Sequence, residues 1–259
     1  MELIASSIMS KKIAGGAQGM VLDVKTGLGA FMHSVDEARE LAALMVEIGR
    51  RADRRVVCLI SDMNQPLGNA VGNALEVREA ISALQGGGPI DLREHCVEVA
   101  GHMLVLAGAA DDLESGRQKI TRALDDGSAL ARFRQLVEAQ GGDCSMVDDP
   151  DKLPRAACIE TYGAPSSGYV ERIHALKIGG TVMVLGGGRE KKGDPIDHSV
   201  GVVIHSNIGD RIEKGEPLFT IHASKPEHLE TASEQLMDAH TIVEAKVEPL
   251  PLFYDTLSD

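Results

Sequence analysis

The chain has no tryptophan, and only three tyrosines and four phenylalanines in 259 residues. So little aromatic surface excludes the stacking platforms that hold single-stranded nucleic acid. Basic residues are outnumbered, 26 Lys and Arg against 39 Asp and Glu, for a formal net charge of −13. That field opposes binding to nucleic acid and to anionic membrane surfaces. The four cysteines, Cys58, Cys96, Cys144 and Cys158, form no Cys-x-x-Cys pair. A zinc site or a dense disulfide framework is therefore not expected, and reduced thiols in a cytoplasmic setting are. The nine histidines form no His-x-His or His-x-x-x-His pair, which argues against a metal cluster. No apolar run is long enough to span a bilayer, and residues 1–5 lack the basic start of a signal peptide.

What is present is a chain that is 43% hydrophobic, ample for a core, with its apolar residues in periodic runs. Residues 19–23 and 55–60 are short apolar runs of the kind that form buried strands. Between them, positions 35, 38, 41, 42, 45, 46 and 48 are apolar at close to helical spacing, with Ser34 as N-cap and Glu37 three residues on. Strand, helix and strand of this length predict a parallel crossover unit. Helices are predicted over 70–84, 91–106, 111–125 and 128–139, the first stopped by Gly86-Gly87-Gly88-Pro89. Near residue 140 the pattern changes to polar turns and then to short β-like runs over 157–161, 168–173, 181–185, 201–205 and 218–222. A helix over 225–240 and a strand over 242–247 follow. The segment Gly209-Asp210-Arg211-Ile212-Glu213-Lys214-Gly215-Glu216-Pro217-Leu218 resembles the turn of a flattened β-barrel such as carrier domains contain. The expected architecture is α/β, a partial parallel or mixed sheet with flanking helices, followed by an α+β domain with a flattened β-barrel-like element. The expected boundaries are 1–140 for the α/β part, 141–167 for a connection and 168–259 for the C-terminal domain.

Two stretches carry the chemistry. One begins Ser6-Ser7-Ile8-Met9-Ser10-Lys11-Lys12 and continues through Val21-Leu22-Asp23-Val24-Lys25-Thr26-Gly27-Leu28-Gly29-Ala30-Phe31-Met32. If the first segment is helical, Ser7 and Lys11 share a face. A hydroxyl beside an ammonium can bond the carbonyl and ring-nitrogen edge of a uracil-type base; the same pair also suits a plain helix with a surface lysine. The Gly27-Leu28-Gly29 turn is followed by neither a dinucleotide fingerprint nor a P-loop lysine, so it reads as pocket wall that aims Phe31. Asp23 and Asp62 each follow an apolar strand, but two carboxylates unplaced in space define no acid–base pair. The second stretch, Asp62-Met63-Asn64-Gln65-Pro66-Leu67-Gly68-Asn69-Ala70, is a turn entering a helix that carries Glu79. Outward carbonyls and one carboxylate folded back would suit a hard cation, potassium in particular; otherwise Glu79 is a solvated side chain.

Together the two stretches resemble the pyrimidine-nucleoside phosphorylase and thymidine phosphorylase family, and the resemblance extends more loosely to the last residue. It implies that Ser7 and Lys11 contact the pyrimidine, that Ile4, Ile8 and Phe31 form the apolar wall around it, and that Leu67, Ala70 and Glu79 hold K+. It further implies a homodimeric pentosyltransferase that uses inorganic phosphate to cleave pyrimidine (deoxy)ribonucleosides to free base and (deoxy)ribose 1-phosphate. Gly186-Gly187-Gly188-Arg189 with Asp194, Asp197 and Ser199 matches a C-terminal pattern of the family, for which turn chemistry is the expected role. The family's phosphate loop, Lys-His-Ser-x-Gly-Gly-x-Gly-Asp, does not occur here, nor does the arginine that grips the base. The chain thus matches the C-terminal portion of a family member, and it is expected to be truncated and inactive alone. Two other readings compete: a carrier-type module using Lys225, which Pro226 disfavours, and a non-catalytic interaction protein derived from the enzyme.

Overall fold

The chain opens with helix α1 (Glu2–Ala14), whose buried residues are Ala5 and Met9, one turn apart. It is described from a computed structural model covering residues 1–189 and 191–258. Strand β1 (Gly19–Thr26) alternates, with Met20, Leu22, Val24 and Thr26 turned inward. Helix α2 (Val35–Arg51) starts at a reciprocal cap: Glu37 N–H donates to Ser34 Oγ at 3.2 Å, and Ser34 N–H donates to the Glu37 carboxylate at 3.3 Å. Its buried stripe is Ala38, Leu41, Ala42, Met45 and Gly49. Strand β2 (Arg55–Asp62) lies parallel to β1 with Gly19 opposite Arg55 and Thr26 opposite Asp62. Every β2 residue after Arg55 is buried, as the unbroken apolar run requires of a strand covered on both faces.

The helix predicted over 70–84 gives its first two residues to strand β3 (Ala70–Val71), and α3 (Asn73–Leu84) starts after Gly72. Helices α4 (Ile90–Leu106), α5 (Leu113–Asp125) and α6 (Ser128–Ala139) lie close to their predicted spans. Arg117 ties α5 to α4, its Nε donating to Glu98 Oε2 at 2.6 Å. A short helix α7 (Ser145–Asp148) and a 3-10 turn (Pro150–Lys152) end this part.

Strands β4 (Cys158–Gly163) and β5 (Gly168–Ile173) fall where the β-like runs predict them. The strand expected over 181–185 is instead the end of helix α8 (Ala175–Val184). Its buried residues, Ala175, Ile178, Thr181 and Val182, recur at helical spacing, and Gly179-Gly180 is accommodated inside the helix rather than ending it. Strands β6 (Gly201–Ile204), β7 (Arg211–Ile212) and β8 (Pro217–Ala223), helix α9 (Glu227–Ala239) and strands β9 (His240–Val243) and β10 (Phe253–Ser258) complete the chain. The expected strand over 242–247 is thus displaced toward the N-terminus, and β10 is a strand that no local pattern announces.

The chain divides into two compact units. The first comprises Met1–Met63, Asp91–Ala123 and Pro251–Asp259, and the second Asn64–Ile90 and Leu124–Leu250. In the first, the sheet order is β1-β2-β10, with β10 antiparallel to β2. Its core joins α1, β1, α2 and β2 through Met9, Leu22, Leu41, Met45 and Ile60. The second unit holds two open antiparallel sheets, β3-β6-β8-β4 and β7-β5-β9. Its main core gathers Val170, Ile178, Val202, Phe219, Ile221 and Leu236. The whole is a mixed α/β architecture. Among the described residues no helix is long and apolar enough to cross a membrane.

Candidate functional site

Helix α1 buries Ala5 and Met9 and packs Met1, Ile8 and Ile13 against the same core. At 100° per residue, Ile4, Ser7 and Lys11 then fall on the opposite, solvent side, with Ile8 at its margin. Ser7 and Lys11 are both exposed, and Ile4 is 37% exposed. The condition for Ser7 and Lys11 to share a face is met, since both lie on α1, and that face offers a hydroxyl, an ammonium and an aliphatic surface. Phe31 lies in the same unit, on the turn that leaves β1, and is 90% exposed. An isolated phenylalanine left in water forgoes about 1.5–3 kcal/mol of burial.

The turn that carries Phe31 is fastened at its base. Thr26 bridges Met32, Gly27 N–H donates to Met32 O at 3.0 Å, and Gly29 N–H donates to Met63 O at 2.8 Å. Met63 N–H donates back to Thr26 O at 2.7 Å. Gly27 has φ +121°, a backbone conformation that a side chain would strain.

At the root of this turn lies a cluster that sequence reasoning does not assemble. Asp23 accepts from Ser61 Oγ through one oxygen; through the other it meets His95 Nε2 at 2.8 Å and Lys25 Nζ at 2.9 Å. Lys25 Nζ also donates to Ser61 Oγ at 2.9 Å. Burial pushes the Asp23 carboxyl up, but hydrogen bonds from His95, Ser61 and Lys25, with the lysine's charge, outweigh it and hold the pKa at about 2. His95, buried on α4, stacks on Phe253 of β10 at a centroid distance of 4.9 Å. An ionised carboxylate only accepts, so the His95–Asp23 bond places a proton on Nε2. Asp23 and Lys25 share a strand face and Ser61 stands opposite Lys25, a pattern visible once β1 and β2 are paired. Nothing in the sequence points to His95.

In the second unit, Glu79 folds back from α3 onto the 66–70 turn. Its Oε1 accepts from Asn69 N–H at 3.0 Å and Ala70 N–H at 3.1 Å. Asn69 O accepts from Ile204 N at 2.8 Å, so Ala70, opposite Val203, turns its own N–H and C=O away from β6. Leu67 stands half-buried in the turn between buried Pro66 and Gly68. Gly68 has φ +72°, and a Cβ there would collide with the Glu79 carboxylate. A carboxylate and a backbone carbonyl are oxygen donors of the kind that a weakly hydrated monovalent cation takes.

Two other sequence features have local structural settings. Asp197 accepts from Ser199 N at 2.9 Å, Ser199 Oγ at 2.6 Å and Ser224 Oγ, while its own N–H donates to Gly186 O at 2.9 Å. Lys225 lies between β8 and α9 and pairs with Glu227 at 3.6 Å, so it enters a helix rather than a β-turn.

Residues 3–130 match the profile of the glycosyl transferase family, a/b domain, and residues 169–243 that of the pyrimidine nucleoside phosphorylase C-terminal domain. The chain is 48% identical over 256 residues to a pyrimidine-nucleoside phosphorylase of Geobacillus stearothermophilus, covering 99% of this chain and 59% of that protein. A pyrimidine-nucleoside phosphorylase of Bacillus subtilis (strain 168) is 48% identical over 248 residues, 96% of this chain and 57% of its own length. One from Staphylococcus haemolyticus (strain JCSC1435) is 51% identical over 223 residues, 86% of this chain and 52% of its own. The chain therefore spans between half and three fifths of the curated relatives it matches.

Proposed function

The chain belongs to the pyrimidine-nucleoside phosphorylase family, and from that premise we propose that its first unit supplies the pyrimidine-holding face of a nucleoside phosphorolysis site. Ser7 and Lys11 hold the carbonyl and ring-nitrogen edge of the base. Ile4, Ile8 and Phe31 wall its faces. In the reaction, a phosphate oxygen forms a bond to C1′ as the bond from C1′ to the base nitrogen breaks. Negative charge gathers on the leaving pyrimidine, and the Lys11 ammonium offsets it, a stabilisation that grows toward the transition state. The leaving pyrimidine takes up the proton that the attacking hydrogen phosphate gives up, and the products are free base and (deoxy)ribose 1-phosphate. The observation that carries this reading is that one unit presents both an exposed Ser–Lys helix face and an aromatic ring left in water.

Leu67, Ala70 and Glu79 would hold K+, which when bound supplies positive charge and fixes the 66–70 turn. A thermal midpoint higher in KCl than in choline chloride, with the difference lost in Glu79→Gln, supports that part; an equal midpoint counts against it. The homodimer and the cytoplasmic setting implied by the family extend the same reading.

Calorimetric titration of the 259-residue polypeptide with uracil and with thymine tests the base site. Saturable binding is expected, weakened in Lys11→Ala by about 1.5–3 kcal/mol, the worth of a charged hydrogen bond. Equal binding by the two proteins would overturn the assignment. These residues include no Lys-His-Ser-x-Gly-Gly-x-Gly-Asp sequence, so this polypeptide is expected to hold the base without cleaving nucleoside. Phosphate-dependent release of uracil from uridine at about one per second or faster would refute that.

A further inference from the structure

We propose that Asp23, Lys25, Ser61 and His95 are positioning residues for the base site, fixing the turn over 27–31 so that Phe31 is presented in one place. The inference rests on the pyrimidine reading for what the ring meets, and on the geometry of the first unit for how it is held.

The strand ends carry it first. Lys25 and Ser61 are the next-to-last residues of β1 and β2 and stand opposite each other in register. Just beyond them, Thr26 and Met63 are the residues to which the turn is fastened by backbone bonds. Asp23 gathers Ser61, Lys25 and His95 on its two oxygens, so β1, β2 and α4 meet at this root. The Phe253 ring stacked on His95 adds β10.

The second consideration is cost. The Asp23, Lys25 and His95 side chains are 26%, 28% and 7% exposed, so two charges and an imidazole are largely withdrawn from water. Well-packed apolar residues would serve stability as well or better, because desolvation consumes most of the Coulomb gain. A network of directional bonds offers what apolar packing does not, a single register between the strand ends. The 90% exposed Phe31 ring has little around it to hold it, so its position is set through its own backbone. That backbone is rooted on Lys25 and Thr26.

The absence of tryptophan supplies the assay. Phe31→Trp makes a single-tryptophan protein whose fluorescence anisotropy reads the order of the turn, while calorimetry on the Phe31 protein reads uracil binding separately. Ser61→Ala removes the hydroxyl bridging Asp23 and Lys25, and Asp23→Asn removes the charge at the centre. Both are expected to lower the anisotropy of the introduced indole and to weaken uracil binding by about 3- to 10-fold, the worth of one hydrogen bond. Ser61→Thr, which keeps the hydroxyl, is expected to restore both. Unchanged indole anisotropy in folded Ser61→Ala and Asp23→Asn proteins would overturn the proposal, even if their thermal midpoints fell, because loss of stability alone is what a merely structural cluster predicts. If anisotropy falls as expected but the unsubstituted chain binds no uracil, the positioning network stands and the pyrimidine reading fails.

Discussion

Asp23 is a residue whose acidity in the fold departs well from that of its free form. Burial works against its ionisation, yet His95, Ser61 and Lys25 hold its pKa at about 2, below the ordinary 3.8. A carboxylate depressed on folding contributes stability that is fully present above the unfolded value and lost as pH falls through the folded one. The contribution here is about 2 kcal/mol, from the size of the shift less an allowance for solvent screening. The window runs from about pH 4 down to about pH 2. Urea unfolding of the native protein and of Asp23→Asn should therefore show a stability gap that is constant above about pH 5 and narrows toward about pH 2. A gap independent of pH across that range would mean that the pairing is not what stabilises the cluster. Glu79 offers a second test at the same scale. Gly68→Ala meets both a left-handed backbone and the Glu79 carboxylate, whereas Gly86, at φ +87°, has nothing within 4 Å of an added Cβ. Gly86→Ala should cost about 1 kcal/mol, the left-handed penalty alone, and Gly68→Ala distinctly more by denaturant midpoint. That Ser7 and Lys11 share a face is legible in the sequence, because their four-residue spacing falls within the single helix α1. The Asp23 cluster is not, since His95 is 72 positions away and only the fold makes them neighbours.

At the scale of elements, α2 shows what local sequence can specify. Its N-terminus is written in Ser34 and Glu37 and its buried face in the 38, 41, 42, 45 spacing, and both are realised. Ser34→Ala removes one side of the reciprocal cap and should cost about 1 kcal/mol, measured as a lowered urea midpoint with unchanged slope. The β1-α2-β2 unit is legible for the same reason. The 181–185 run is ambiguous because a short apolar stretch after two glycines satisfies strand and helix patterns equally. What decides is tertiary: Ile178, Thr181 and Val182 are all buried, on a face whose partners no local window contains. Strand β3 is two residues long and exists by its pairing with β6, so helical periodicity over 70–84 does not reveal it. Strand β10 likewise carries an ordinary mixed sequence, and its identity comes from the β2 edge it covers.

For the whole molecule, that last strand matters out of proportion to its length. It covers the far edge of β2, places Phe253 on His95 and brings Tyr254 to donate to Asp62 at 2.9 Å. Removing residues 251–259 would leave the buried β2 with an open edge, a ready template for unwanted strand pairing. The shortened protein is expected to elute as aggregates on size exclusion and to lose the cooperative unfolding of the native chain; a monodisperse, cooperatively folding product would contradict this. The same arrangement has a consequence during synthesis. Asp62 and Tyr254 are 192 positions apart, so at typical elongation rates roughly 10–40 s separate the appearance of β2 from that of the strand that closes it. The second unit is translated almost entirely within that interval. Production of this protein should therefore respond to translation speed and to holding chaperones more than its size suggests, with the nascent first unit waiting, edge open, until residues 253–258 have been made.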